Sequence, residues 1–273
     1  MTDASATRGY EERMSRLNTN VAHSARVWNY WLGGKDNFAV DREVGDQILR
    51  FVPDLVNAAR ADRAFLGRVV RHLVAEEGIR QFLDIGTGLP TADNTHEVAQ
   101  AAAPECCIVY VDNDPLVLAH ARALLVSTPQ GVCDYIDADL HDPDEILRQA
   151  ARTLDFDRPV AIMLLGSLNF IIDTQEAEAI VKRLVNAVPA GSYLVIAHPT
   201  AEVHGEAMTL AVQGWNEQGS AQMTLRSRQE LIRFFDQVEL LEPGVVSCSR
   251  WRPEVSDPEP AEVSQFCGVG RKA

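Results

Sequence analysis

The sequence predicts an α/β protein built on a doubly wound parallel sheet. Three observations carry that prediction. From about residue 80, short apolar runs alternate with segments of helix length; two glycines stand directly behind the first run; and an acid closes the second. Strands separated by helices of roughly ten to fifteen residues run parallel, because each crossover returns the chain to the same end of the sheet.

Gln81-Phe82-Leu83-Asp84-Ile85 is the first expected strand, followed by a helix over 95–103. The second strand covers 108–111. The helix after it, over 115–126, starts on Pro115, where a missing N–H leaves nothing unpaired. A weaker strand is expected over 132–138, a helix over 142–154, and a strand over 160–165 that is apolar throughout, as expected of one covered on both faces. Asp173-Thr174-Gln175-Glu176 has capping-box spacing and opens a helix to about Val188; 192–197 is the fifth strand.

Two segments break this rhythm. Residues 1–75 read as helical, with apolar positions at Leu55, Ala58, Ala59, Phe65, Leu66, Val69, Val70 and Leu73. They are expected to form an N-terminal cap or lid, with 76–273 as the ligand-binding domain. At the other end, Ser227-Arg228-Gln229-Glu230 is a second capping box ahead of a helix to Phe235, and 238–248 and 264–269 read as two strands. The connector over 251–263, with Pro253, Pro258 and Pro260, reads as a surface loop.

Composition limits what such a fold does. With 273 residues, 46% hydrophobic and 23% charged, the chain has material for a sizeable core and is neither a disordered tail nor a disulfide-stapled scaffold. Its formal charge of −14 repels phosphate backbones, which argues against nucleic acid as a partner. No apolar run nears the ~20 residues that span a bilayer, and Met1-Thr2-Asp3-Ala4 does not begin a signal peptide, so no membrane partner and a cytoplasmic location are expected. Five cysteines without Cys-x-x-Cys spacing predict no structural metal. Homo-oligomerisation is left open.

The chemistry concentrates in Asp84-Ile85-Gly86-Thr87-Gly88-Leu89-Pro90. Paired glycines behind a first strand let the backbone approach a ligand at the carboxyl ends of the sheet. Asp112 closes the second strand 28 residues after Asp84 (112 − 84), where an acid can accept hydrogen bonds from both hydroxyls of a ribose. A nucleoside ligand is indicated. A dinucleotide would set a pyrophosphate on this loop and favour a third glycine, yet Thr91 holds that place. Asp84 beside two phosphates would be repulsive; beside the ammonium and sulfonium of S-adenosylmethionine it is attractive. Asp84 can also simply cap the loop. Asp139, after the third strand, stands where an adenine edge would lie, with the alternative of capping the next helix.

With these residues in view, the sequence resembles a class I S-adenosylmethionine-dependent methyltransferase, and more narrowly the bacterial S-adenosyl methyltransferase family with a helical N-terminal extension. The resemblance covers nearly the whole chain, from about Ala25 onward. It rests on Trp28-Asn29-Tyr30-Trp31-Leu32-Gly33-Gly34-Lys35-Asp36-Asn37-Phe38, on the glycine loop with the strand before it, on Val109-Tyr110-Val111-Asp112-Asn113-Asp114-Pro115 and on Trp251-Arg252-Pro253. It implies a Rossmann-like sheet of seven strands, the last antiparallel. S-adenosyl-L-methionine is the implied methyl donor and S-adenosyl-L-homocysteine the product. Asp84, Gly86, Thr87, Gly88, Pro90, Asp112, Asn113, Asp139, Leu140 and Gly166 are the expected donor-binding set.

The sequence departs from the family at Asn169, where relatives often carry a histidine. Asn169 can orient an acceptor by hydrogen bonds but cannot take its proton. His198, just past the fifth strand, is the topological candidate for a base, against a purely local bonding role. The Gly33–Phe38 run lacks the spacing of a phosphate loop. It reads as a lid in which Tyr30, Trp31, Lys35, Asp36, Asn37 and Phe38 face donor or acceptor, or else as a turn between helices. The leading function is methyl transfer to a small-molecule acceptor, because no basic stripe exists for nucleic acid and the cap narrows the cleft. A non-catalytic S-adenosylmethionine sensor is the alternative, motivated by Asn169 and the lack of an evident base. NAD-dependent redox chemistry is a third.

Overall fold

The computed structural model describes residues 18–91, 93–124, 126–253 and 259–273. The first 17 residues of the expected cap, and Pro258 in the expected connector, lie outside them. Three helices come first: α1 (Ser24–Trp31), α2 (Ala39–Phe51) and α3 (Leu55–Ala75). The alternating part follows as β1 (Gln81–Ile85), α4 (Thr95–Ala102), β2 (Cys107–Asp112), α5 (Pro115–Leu124), β3 (Val132–Asp137), α6 (Pro143–Ala150), β4 (Ala161–Leu165), a 3₁₀ turn (Leu168–Phe170), α7 (Thr174–Asn186) and β5 (Tyr193–Pro199). The last part is α8 (Glu206–Gln218), α9 (Arg228–Arg233), β6 (Glu239–Leu240), β7 (Val246–Ser247) and β8 (Gln265–Arg271).

One sheet runs in the order β3-β2-β1-β4-β5-β8-β6. β1 to β5 pair in parallel, and β8 runs antiparallel to β5 with Tyr193 opposite Arg271 and Pro199 opposite Gln265. The free edge of β8 is covered by two short strands, β6 at Leu240 and β7 at Val246. The expected seven positions are filled, the seventh by two pieces. The single strand expected over 238–248 is broken because Pro243 cannot donate to a ladder and Gly244 turns the chain at φ +85°.

Side chains alternate across this sheet, so its two faces feed two cores. Leu83, Ile85, Val109, Val111, Ile162 and Leu164 pack with α6, α7 and Leu231 of α9. Phe82, Ile108, Tyr110, Met163, Val195 and Val269 point the other way, into a core shared with α1 to α4 and α8. That core crosses the boundary expected after residue 75, since Phe65, Leu66, Val69, Val70 and Leu73 of α3 lie against the sheet face. Trp251 is fully buried beside Phe65, ring centroids 5.4 Å apart, and Arg68 donates to the Trp251 and Cys248 carbonyls.

The 199–226 stretch, given no element above, contains α8. Met208, Ala211, Val212 and Trp215 recur at helical spacing and are buried. α8 packs on α2, and Ser220 N donates to the Ala22 carbonyl, so the cap joins N-terminal helices to a segment inserted after β5. Among the described residues, no helix is long and apolar enough to cross a membrane.

Candidate functional site

A cavity of about 760 Å³ runs along the carboxyl ends of β1 to β5, roofed by α1, α3 and α8. The topology puts it there. The chain runs from β1 outward through β2 to β3 and then returns to β4 on the other side of β1, so the loops part at that switch point.

The glycine loop forms the floor. Gly86 and Gly88 sit at φ +76° and +66°, where a side chain is strained, and a Cβ on Gly86 would lie 2.5 Å from Ser167 Cβ. Gly86 N donates to the Val111 carbonyl at 2.8 Å. Over Gly88 the space is open as far as Ala25 on α1, 4.0 Å from where its Cβ would stand.

Three carboxylates follow the strand ends. Asp84, on the same sheet face as Phe82, turns toward the cap and accepts from Thr95 Oγ1 at 2.6 Å. Burial pushes its carboxyl up to about 6, against the pull of Thr95 and Arg63. Arg63, on α3, also lines the cavity and donates to Asn94 Oδ1. Asp112 accepts from Gly88 N at 3.0 Å on one oxygen and Asp114 N at 2.9 Å on the other, locking the first loop to the second. Burial raises its carboxyl while those amides and His23 oppose the rise. Asp139 is exposed at the cavity edge. Partial burial would raise it, but donors from His141 and Asn113 together hold it below the usual range. Asp142 caps α6 by accepting from Glu145 N.

These placements suit a cationic nucleoside: glycine backbone at the floor, carboxylates along three consecutive strand ends, open space above Gly88. Thr87, Asn113, Leu140 and Gly166 also line the cavity. Pro90 does not; it borders a smaller space beside Arg63 and Asn94.

The expected lid residues mostly lie elsewhere. Of the six, only Trp31 reaches the cavity. Tyr30 donates to Asp46, Lys35 is exposed, and Asp36 pairs with His120 at 3.3 Å. Asn37 donates to Asn29 Oδ1 and the Gly34 carbonyl, and Phe38 packs beside Leu89, Leu116 and Val117. A Cβ on Gly34 would strike Asn29 at 2.3 Å, so this glycine exists for a tight turn. Lys35 and Asn37 do not line the cavity here; the segment forms a turn, and α1 is what faces the glycine loop.

His198 requires a correction. It is 0% exposed and absent from the cavity wall. Nδ1 donates to its own neighbour's carbonyl at Pro199, 2.8 Å, so Nε2 is the acceptor for Arg226 Nη1 at 2.9 Å. Burial first, and the Arg226 charge with it, push its pKa down to about 3. Both nitrogens are engaged and the ring stays neutral, so it is no base. Its partner Arg226, itself buried, donates to the Leu168 and Ile171 carbonyls and pins the loop after β4. Asn169 does face the cavity, with Oδ1 buried and unpartnered, as is Ser167 Oγ.

Sequence reasoning passed over several cavity residues. Met208, Ala211, Val212 and Trp215 of α8 were legible from their 3.6-residue period. Asp62 on α3 and Gln265 at the start of β8 were not sought, although an acid in the middle of an apolar helical stripe is a signal in itself.

A model of the S-adenosyl methyltransferase family matches residues 10–273. Among solved structures, a DUF574 family protein from Streptomyces avermitilis MA-4680 is 42% identical, with 94% of this chain and 100% of that one covered, at a TM-score of 0.90. A proposed methyltransferase from Thermobifida fusca YX is 39% identical over 93% of this chain and 96% of its own, at a TM-score of 0.85. The mitomycin 7-O-methyltransferase, 14% identical over 94% of this chain and 74% of its own at a TM-score of 0.53, shares the fold. No curated protein matches.

Proposed function

This chain belongs to the S-adenosyl methyltransferase family, and on that premise we propose that it methylates a small-molecule acceptor held between α3, α8 and the loop after β4. The protein is an S-adenosylmethionine-dependent methyltransferase; the acceptor class and the residue roles are our reading. When bound, the donor supplies an electrophilic methyl group on a sulfonium.

The observation that carries the reading is the division of one cavity into two chemistries. Its β1–β3 end presents Gly86, Gly88, Asp84, Asp112 and Asp139, suited to the donor. Asp112 would accept the ribose hydroxyls with lone pairs left after its two amide bonds, and Asp139 would accept from the adenine amine. Arg63 and Asp84 would receive the zwitterionic amino-acid end. The β4–β8 end is walled by Met208, Val212, Trp215 and Phe170. Such a surface excludes water and aligns an apolar guest, and alignment alone reaches effective molarities of about 10⁵ M or more.

The apolar wall that α8 gives the acceptor end favours small molecules over nucleic acid, as does the charge of −14. The same surface chemistry fits a cytoplasmic protein without a membrane partner. We further propose that 24–51, with α8, act as the lid. The sensor alternative loses its ground, since a base is required only where a proton must leave the nucleophile.

Calorimetry with S-adenosylhomocysteine tests the donor site. Asp112→Ala should weaken binding by about 30-fold or more, for the loss of charge-assisted hydrogen bonds. Gly86→Val should abolish binding through the clash with Ser167. Unchanged affinity in both folded variants would reject the assignment.

A further inference from the structure

Asp62 lies in the apolar stripe of α3, between Ala58 and Phe65, where every neighbour on the helix face is hydrophobic. It is 7% exposed and lines the cavity. Its partners are poor. Gln265 Nε2 stands 3.4 Å away and the Cys248 thiol 3.8 Å away, both on Oδ1. No hydrogen bond among the described residues engages Oδ2. A buried carboxylate needs strong donors, and here two weak ones share a single oxygen.

Asp62 stands between the two ends of the cavity. Arg63 and Asp84, at the donor end, act on its charge, while Gln265, its partner, lies beside Gly166 at the end of β4, a Cβ there standing 3.7 Å from Gln265 Nε2. In that loop Ser167 Oγ and Asn169 Oδ1 are buried and unpartnered. These four polar groups, from α3, β8 and the post-β4 loop, line the same cavity. A guest with a proton on oxygen or nitrogen would donate to the open Asp62 oxygen; a wholly apolar guest would leave it bare.

We propose that Asp62 is the residue that holds and deprotonates the methyl acceptor, and that the acceptor is a compact, largely apolar molecule bearing a single hydroxyl or amine. This rests on the methyltransferase reading of the cavity given above. The acceptor's oxygen or nitrogen would donate its proton to Asp62 while bonding the methyl carbon. The pair of the broken carbon–sulfur bond stays on sulfur, so the cationic donor and the carboxylate become thioether and carboxylic acid. Burial, which pushes the Asp62 carboxyl up to about 6, makes it a better proton acceptor than a surface aspartate.

The test uses the full chain saturated with S-adenosylhomocysteine and paired probes: naphthols against their methyl ethers, and naphthylamines against their dimethylated forms. In at least one pair, the hydroxyl or amine should bind about 10-fold or more tightly than its capped counterpart, the worth of a hydrogen bond to a charged group. In Asp62→Asn, which keeps shape and the Gln265 contact, that ratio should fall below about 3-fold, with S-adenosylhomocysteine affinity held within about 3-fold. Paired members binding alike, a ratio surviving in Asp62→Asn, or no probe binding while S-adenosylhomocysteine does would each overturn the role of Asp62. Failure of S-adenosylhomocysteine to bind the unmutated protein would overturn the underlying reading instead.

Discussion

Asp62 and Asp84 are buried carboxylates with too few donors, and both are pushed up to about 6 chiefly by burial. Around Asp62, Arg63, Gln265 and Cys248 pull the value back and Asp84 adds to the rise. An acid raised on folding binds protons more tightly in the native state. Its stabilising proton is fully present below the ordinary value near 4 and is lost as pH climbs through about 6. The resulting destabilisation at neutral pH is of order 3 kcal/mol. Asp62→Asn removes it. Urea unfolding at pH 4 and pH 7 should show the variant gaining on the unmutated protein by about 2–3 kcal/mol between the two; a constant gap would mean Asp62 is solvated. Such a cost, carried inside an apolar stripe, is what a functional residue leaves behind in a stable fold.

At the scale of elements, the site is held by crossovers more than by strands. Arg226, one residue before the Ser227 cap of α9, reaches across to the Leu168 and Ile171 carbonyls, to Thr174 Oγ1 and to His198. One guanidinium thus ties the post-β4 turn, the start of α7 and the end of β5 together. Replacing Arg226 with Met leaves the Ile171 carbonyl and His198 Nε2 buried without their donor. We expect a loss of about 3–5 kcal/mol in chemical denaturation, with S-adenosylhomocysteine affinity nearly unchanged, since the donor loops do not touch Arg226. The expected elements of the alternating region have counterparts here because each signal was local: an apolar run, a capping box, a proline at a helix start. α8 was missed although its period was legible. The 238–248 run carried its own breakers, Pro243 and Gly244, inside an otherwise strand-like pattern.

For the whole molecule, ligand binding and folding stability are linked. The cavity is walled by α1, α3, α8 and the sheet, so a donor at its β1–β3 end would tie the glycine loop to α1 and α3. At a concentration 100 times its dissociation constant, S-adenosylhomocysteine should stabilise the fold by about 2.7 kcal/mol, raising the melting midpoint by about 5 °C. At the same ligand concentration the shift should fall to about a third or less in Asp112→Ala. An equal shift from a polyanion of matching concentration would contradict the reading of a site lined with carboxylates in a protein of charge −14.

The amino-acid sequence by itself determined the parallel sheet, the glycine loop and the spacing from Asp84 to Asp112, because these depend on neighbours along the chain and on backbone conformations that few residues adopt. Only the tertiary structure decided which side chains meet. Whether a histidine is a base turns on what fills the space around both ring nitrogens, and Arg226 lies 28 residues from His198. Whether Asp62 faces solvent or a chamber depends on Gln265, 203 residues away. Burial and pairing are properties of contacts closed over such distances, and they set the charge, the exposure and the chemistry of a residue whose local pattern looks the same either way.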